Sequence, residues 1–422
     1  MYDAIVIGAR CGGAPLAMLL ARQGHRVLVV DRNEFPSDTI STHYVKRTGA
    51  ALLRDWGLLG DVEAIGTPRI RNLVMRLDDV SLSGQAPAYR GIDADYTPRR
   101  LYLDKILVDR ARADGAEIRE RFTVRELVFD ADRVVGIRGD EKGTLVEERA
   151  RVVVGADGMN SLVARSLGAR TYYDTGSLTC AHYAYFSGIR DRHDLGRLYV
   201  LGDARRFIIT FPTNDDLDMV FVFWPKEEAS RVRGDLDGEF HQALGLVPEL
   251  GERVRSGRRE TKYRGMNSLP NFFREAHGPG WALIGDAALH RDPITAQGIT
   301  NAFTHAQLLA EELGAAFAGE KPLHLALSSY DQRQVEQLKP MFDYTVHLAQ
   351  LEPPSAGARK MLMALAQDQG TVDAFLGAFI GSVQLKDVFP AEMIEGFSRT
   401  VTRLASAQEK IRDVARAVAR CR

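Results

Sequence analysis

Three cysteines are few for 422 residues. Cys11, Cys180 and Cys421 lie far apart and form no CxxC pair. That excludes a disulfide framework and a cysteine zinc site, and it fits a reducing, cytoplasmic compartment. Neither sign of charge is in excess. Lys and Arg number 55 against 56 Asp and Glu, a net charge of -1, so nothing global draws the chain to nucleic acid or to an anionic membrane. No apolar run approaches the ~18 residues of a membrane span, so no transmembrane segment is expected. The opening MYDAIVIGA lacks the basic region of a signal peptide and sets an acidic residue at the start of its apolar run. Internal repeats and low-complexity tracts are also missing. The composition that remains, 45% hydrophobic and 26% charged, is that of a globular protein and excludes disorder. At ~150 residues per domain the length suggests two or three domains, or one large α/β domain with insertions.

Short apolar runs mark the strands. Ala4–Ile7 and Val27–Val30 have the character of strands buried on both faces, and Ala14–Gln23 between them is helix-forming and ends at Gly24. Together they make a βαβ-like unit of about 30 residues, the minimal dinucleotide frame. Leu101–Asp114 has helical spacing and stops at Gly115. Ala150–Val154 and Trp281–Ile284 are further strands, and a helix is predicted from about Gln297 to Leu313. Ile70–Leu77, Leu198–Leu201, Phe207–Phe211 and Met219–Phe223 are rich in β-branched and aromatic residues and separated by turn signals. They are expected to form an inserted antiparallel sheet. The last 80 or so residues read as mostly helical.

Three motifs sit at the ends of the predicted buried strands. Gly8-Ala9-Arg10-Cys11-Gly12-Gly13 is a GxGxxG variant with Arg10 at the middle glycine position. Gly8 and Gly13 keep the tight turn and the close helix–strand packing, and the following helix N-terminus offers free N–H groups to a phosphate. Asp31 closes the second strand, where it can accept hydrogen bonds from a ribose diol. The second motif is Gly155-Ala156-Asp157-Gly158, followed by Arg165, and the third is Gly285-Asp286-Ala287-Ala288, followed by Asp292-Pro293 and Gln297-Gly298-Ile299. Each alone could be a strand-to-turn connection, but all three in this order are hard to obtain by accident.

With these motifs, residues 1–340 resemble the group A flavoprotein monooxygenases. These form the para-hydroxybenzoate hydroxylase-like superfamily, which also holds flavin halogenases and geranylgeranyl reductase-like enzymes. The fold implied is α/β (α+β overall). A discontinuous Rossmann-like FAD-binding domain spans 1–69, 98–176 and 266–340, a substrate domain spans 70–97 and 177–265, and a helical region spans 341–422. The resemblance places Gly8, Gly12 and Gly13 around the FAD pyrophosphate, Asp31 on the adenosine ribose and Arg32 beside the adenine. Arg100 matches an arginine near the diphosphate, and Val124 a position whose backbone holds the adenine edge. Asp157 and Gly158 belong to a segment linked to both FAD and NAD(P)H, and Asp286 to the ribityl–diphosphate part. Pro293, Gln297, Gly298 and Ile299 would border the isoalloxazine, where a helix N-terminus suits the charge of reduced flavin. Arg10 departs from the pattern and either points away or adds positive charge at the FAD.

The activity implied is hydroxylation or epoxidation of an apolar, aromatic or polycyclic small molecule with NADPH or NADH and O₂. It would run through a flavin C4a-hydroperoxide on noncovalent FAD, in a monomer or homodimer. Reduction of isoprenoid double bonds is the rival. Halogenation of the tryptophan type is disfavoured because Trp56, Trp224 and Trp281 form no WxWxIP segment, while a variant flavin halogenase stays open, as does, with less support, a flavin-binding protein without turnover. His43 admits two readings, a contact at the flavin edge or part of a turn and helix cap made by Ser41 and Thr42. Tyr183 with Tyr185, Phe207 with Phe211, and Phe221 with Phe223 share parity, so each pair lies on one sheet face as a substrate wall or as ordinary core. At the end of the chain, Leu404, Ala407, Ile411, Val414, Val418 and Cys421 follow an a/d-like spacing. Packing on the chain's own domain is expected for that stripe.

Overall fold

Runs of four to six apolar residues bury on both faces only inside a covered sheet. The computed structural model describes residues 1–420, without the side chains of 414, 415 and 417–420, and arranges those runs as its central layer. The strand order is His277–Gly278, Trp281–Leu283, Thr144–Gly155, Tyr2–Ile7, Val27–Asp31 and Glu117–Glu120. From Trp281–Leu283 to Glu117–Glu120 neighbouring strands run parallel. Ile7 lies opposite Gly155, and Gly155 opposite Leu283. That register brings the turns beginning at Gly8, Ala156 and Ile284 out side by side, at the carboxyl edge where open α/β sheets bind ligands. The predicted elements recur with shifts of a few residues: helices at Gly13–Arg22, Arg100–Ala113 and Gly298–Phe317, and a strand at Phe122–Asp130.

The second sheet runs Arg258–Arg259, Thr179–Ser187, Leu217–Pro225, Arg206–Thr213, Leu195–Leu201, Asn72–Leu77 and Val80–Gly84. It corrects the sequence reading twice. First, it is mixed, because Leu195–Leu201 pairs parallel with Asn72–Leu77, a strand supplied by an earlier part of the chain. Second, residues 177–265 are not sheet alone: helices Ala229–Gly234, Leu236–Gly245 and Pro248–Ser256 follow the strands. They cover the face of Phe186, Ile208, Val220 and Trp224. The opposite face carries Tyr183, Tyr185, Phe207, Phe211, Phe221 and Phe223, which pack with Phe375, Phe379 and Phe389 of the C-terminal region. Burial on both faces is why these strands alternate only partly in sequence.

Four helices complete the chain: Leu323–Leu348, Ala356–Leu365, Gln369–Ile380 and Ala391–Arg420. The last one packs on the chain's own body, through only part of the expected stripe. Val401 is buried among Phe273, Leu338 and Phe342, Leu404 is half-buried, and Arg412 pairs with Asp174. Ala407 and Ile411 are exposed. The side chains of Val414 and Val418, and the whole of Cys421, lie outside the described residues. Among the described residues no helix is long and apolar enough to cross a membrane.

Candidate active site

The three motif turns and the inner sheet face enclose a cavity of about 610 Å³, within the ~300–1,000 Å³ usual for cofactor pockets. Its wall includes Gly8, Arg10, Gly12, Asp31, Arg32, Arg100, Val124, Asp157, Gly158, Asp286, Pro293, Gly298 and Ile299. Thirteen of the residues singled out in the sequence thus meet in one space. Gly13 and Gln297 do not line it. Gly13 packs its helix onto the strand so closely that a Cβ there would overlap the Gly8 carbonyl. Gln297 is buried, with its amide nitrogen unpaired and directed toward Gly381.

His43 is also absent from the wall, which Thr39–Thr42 form instead. It is fully buried behind Arg100. Its Nδ1 accepts from the Arg100 backbone N–H at 3.3 Å, and its Nε2 bonds the Tyr185 hydroxyl. Burial, then the charges of Arg100, Arg99 and Arg264, push its pKa well below the ordinary value, so the ring is neutral. Ser41 Oγ accepts from the His43 N–H at 3.0 Å, which makes a turn, but no helix cap follows: the next helix starts at Arg47 without a side-chain cap.

Each wall residue is fixed by local bonding. Asp31 accepts from Ala9 N at 2.9 Å and Asn33 N at 2.8 Å, tying the glycine turn to the second strand. Asp157 Oδ2 accepts from Leu162 N at 2.7 Å and leaves Oδ1 buried without a partner. Arg10 turns sideways rather than across the turn. It reaches Asp104 at 2.5 Å, the Ser37 carbonyl at 3.1 Å and the Ser37 hydroxyl at 3.0 Å. Arg100 grips the same Asp104 with bonds of 2.8 and 3.0 Å, and Cys11 donates to it at 3.3 Å. Within Gly285–Ala288 only Asp286 is exposed, and within Ile294–Thr300 only Gly298 is. Both therefore present themselves to the cavity. A Cβ at Gly298 would meet nothing within 4 Å, so a flat ring can approach its backbone. The helix that starts there has no side-chain cap, and its first N–H groups have no intrahelical acceptor.

Sequence reasoning missed Arg291, although it sits between two residues that were chosen, Asp286 and Pro293. It is 7% exposed and lines the cavity. Its Nη2 donates to Asn301 Oδ1 at 2.6 Å, while Nε and Nη1 are buried without partners. Burial pulls its pKa down to about 9 against the opposing charge of Asp286. Asp104 was missed as well, since only the fold brings Arg10 and Arg100 onto it. No cluster of three or more His, Cys, Asp and Glu side chains that could hold a metal occurs among the described residues.

Residues 1–343 match the FAD binding domain family. The chain is 28% identical over 356 residues to protein FixC of Bradyrhizobium diazoefficiens, which covers 76% of this chain and 78% of that protein. It is 25% identical over 359 residues to digeranylgeranylglycerophospholipid reductase 1 of Methanopyrus kandleri, covering 83% and 91%. Among solved structures, the flavin-dependent brominase Bmp2 superposes with a TM-score of 0.78 at 20% identity, covering 97% and 99%. PqsL, a probable FAD-dependent monooxygenase from Pseudomonas aeruginosa, superposes with a TM-score of 0.68 at 23% identity, covering 90% and 99%. At these identities the superpositions show a common fold. The cavity fits the cofactor of that family in size, in its glycine-lined edge and in its unpartnered buried donors.

Proposed function

The chain belongs to the FAD binding domain family, and we propose that it is a monooxygenase that uses NADH or NADPH and O₂ to oxygenate an apolar, aromatic or polycyclic small molecule. One observation carries this reading. Ala181 and Phe221 of the inner sheet face line the same cavity as Asp286, Pro293 and Gly298. An apolar substrate wall and the flavin segments of the family thus share one space.

Bound FAD supplies the redox chemistry. The chain's own residues bind and orient. Gly8 and Gly12 would admit the pyrophosphate to the backbone, with Arg100 supplying charge and Asp104 holding that arginine in place. Asp31 would take the ribose, Val124 and Arg32 would flank the adenine, and Asp157 and Gly158 would close the middle of the site. Asp286 would accept from ribityl hydroxyls. Pro293, Gly298 and Ile299 would border the ring, where the helix N-terminus favours negative charge. Ala181, Phe221, Met266 and Leu269 would exclude water from the substrate side. Neutral His43 and the Tyr185 hydroxyl brace Arg100 from behind and take no proton from the substrate.

A second reading, reduction of isoprenoid double bonds, is favoured by the digeranylgeranylglycerophospholipid reductase relative, which matches over 83% of the chain. The two separate in one experiment. FAD-loaded protein is screened with NADH and with NADPH against aromatic and polyketide-like compounds in an oxygen electrode. Substrate-stimulated O₂ uptake matched by oxygenated product is expected. Anaerobic reduction of a polyprenyl double bond, with no compound stimulating O₂ uptake, would replace the monooxygenase by the reductase.

A further inference from the structure

Positive charge is buried beside the cavity in excess of negative charge. Arg291, Lys46 and Arg47 are 7%, 2% and 1% exposed. Against them stand two buried carboxylates: Asp292, and Asp95, which lies 3.7 Å from Arg47 Nε and also accepts from the Tyr44 hydroxyl at 3.0 Å and from Arg47 N at 2.7 Å. Lys46 Nζ lies 4.5 Å from the Tyr44 ring centre and 5.0 Å from that of Phe379. Burial pulls its pKa down to about 8 against the attraction of Asp95, and the charges of Arg291 and Arg47 add to the lowering. Asp286, the negative charge that Arg291 senses, is exposed on the cavity side. Arg47 is satisfied by Asp95 and by the Ala86, Pro87 and Arg71 carbonyls, whereas Arg291 keeps two buried donors unpaired; a buried cation left so is costly, and the arrangement points to an anion that completes it.

Arg291 is the member of this group that meets the cavity. Its bond to Asn301 anchors it to the first turn of the helix Gly298–Phe317. The Nε and Nη1 donors that remain have no acceptor among the described residues. They stand near the positive end of that helix and next in sequence to Asp292-Pro293. Arg10 and Arg100, by contrast, are committed to Asp104 at the glycine-turn end of the cavity. The two ends are therefore served by different cations.

We propose that Arg291 is a catalytic residue that binds the reduced form of the flavin more tightly than the oxidised form, through its free Nε–H and Nη1–H donors. Uptake of two electrons and one proton leaves the ring system one negative charge richer. Arg291, backed by Lys46, is the counter-charge for that added electron density. The oxidised ring is neutral and needs none. The assignment rests on the FAD family and not on the monooxygenase reading, because either reaction passes through reduced flavin.

The test is the two-electron midpoint potential of the FAD-loaded holoprotein without substrate, read by dye-coupled anaerobic reduction. In Arg291→Met the preference for reduced flavin should fall at least tenfold, which lowers the potential by ~30 mV for a two-electron couple. Arg291→Lys, which keeps the charge, should stay closer to the wild-type value than to that of the methionine variant. A methionine variant with the wild-type potential overturns the proposal, and so does a lysine variant displaced as far as the methionine one. If Arg291→Met does not load FAD, Arg291→Gln takes its place. If both neutral variants lose oxidised FAD while Arg291→Lys keeps it, the residue binds the ground state and the redox assignment is overturned. A potential shift without any O₂-consuming substrate would leave this proposal standing while the monooxygenase reading fails.

Discussion

Replacing Asp104 by alanine should weaken the apoprotein more than the FAD-loaded protein. Asp104 is fully buried and is the shared acceptor of Arg10, Arg100 and Cys11. The Arg10 and Arg100 side chains are only 21% and 11% exposed. Without the carboxylate, Arg100 cannot fully rehydrate, whereas Arg10 retains the Ser37 carbonyl and some water. Removing one partner of a buried ion pair costs ~3–5 kcal/mol, because the other charge stays behind. The partial exposure of Arg10 favours the lower end, about 3 kcal/mol. In a chain of this size each kcal/mol moves Tm by about 1 °C, so the apoprotein should melt roughly 3 °C lower. FAD changes the balance. If Arg100 stands at the diphosphate, the phosphates supply the counter-charge that alanine removed, and the loaded variant should lose well under half as much. Melting curves of wild type and Asp104→Ala, apo and FAD-saturated, give the four numbers required. An unchanged apo Tm would show that Asp104 does not hold this wall. Equal losses in apo and loaded protein would remove Arg100 from the diphosphate.

Four further outcomes are expected. Asp286→Ala should purify with little FAD, because flavin polar groups lose their acceptor; a normal ratio of flavin to protein absorbance would contradict its placement. FAD should leave the chain completely on acid precipitation, and yellow colour retained in the pellet would mean a covalent bond. Burial holds His43 well below its ordinary value and His305 at about 3, so the unfolded chain takes up protons that the folded one refuses. Their contribution is full above about pH 6.5 and is lost as pH falls toward the folded values, by at most ~1.4 kcal/mol per unit for each group. Asp292 and Asp218, raised by burial to about 7 and about 6, act in the opposite direction, so the readout is a difference. His305→Gln should lose less of its urea midpoint than wild type between pH 7.5 and 5.5, and parallel losses would exclude His305 as a source. Deleting residues 400–422 removes buried Val401 and the Arg412–Asp174 pair. It should lower Tm without changing the mass in solution, and a changed mass at constant Tm would make that helix an oligomer contact.

The central frame was legible because its signals are local. Strand runs such as Val27–Val30, a glycine turn directly after Ile7 and a helix closed by Gly24 each specify their own conformation. The parallel register then brings the turns beginning at Gly8, Ala156 and Ile284, far apart in the chain, to one edge. The family resemblance that those motifs carry supplied the rest of the thirteen wall residues, among them Arg32, Arg100 and Val124. What was not legible depends on distance in the fold. Helices 229–256 went unread because their apolar residues answer to the outer face of a sheet whose strands are buried on both sides. The terminal stripe was met only in part, at Leu404, because Val401 and Leu404 share their contact face with polar Gln408 and Arg412 while Ala407 and Ile411 are exposed. A heptad count has no means of including a side chain that docks by an ion pair.

The same difference separates the two kinds of cation in the cavity. Arg10 drew notice in the sequence because it breaks a motif, yet the fold spends its charge on Asp104. Arg291 drew none, being one residue in a run between two known segments. Only burial with two unpaired nitrogens distinguishes it. A motif reports what the backbone must do, and at the glycine turn that is nearly the whole requirement. Unbalanced charge reports what a bound molecule must bring, and it becomes visible only once every protein acceptor in reach has been counted. The residues that set the electrostatics of bound FAD are therefore to be sought among the unpaired donors of the wall rather than among the letters of the fingerprint.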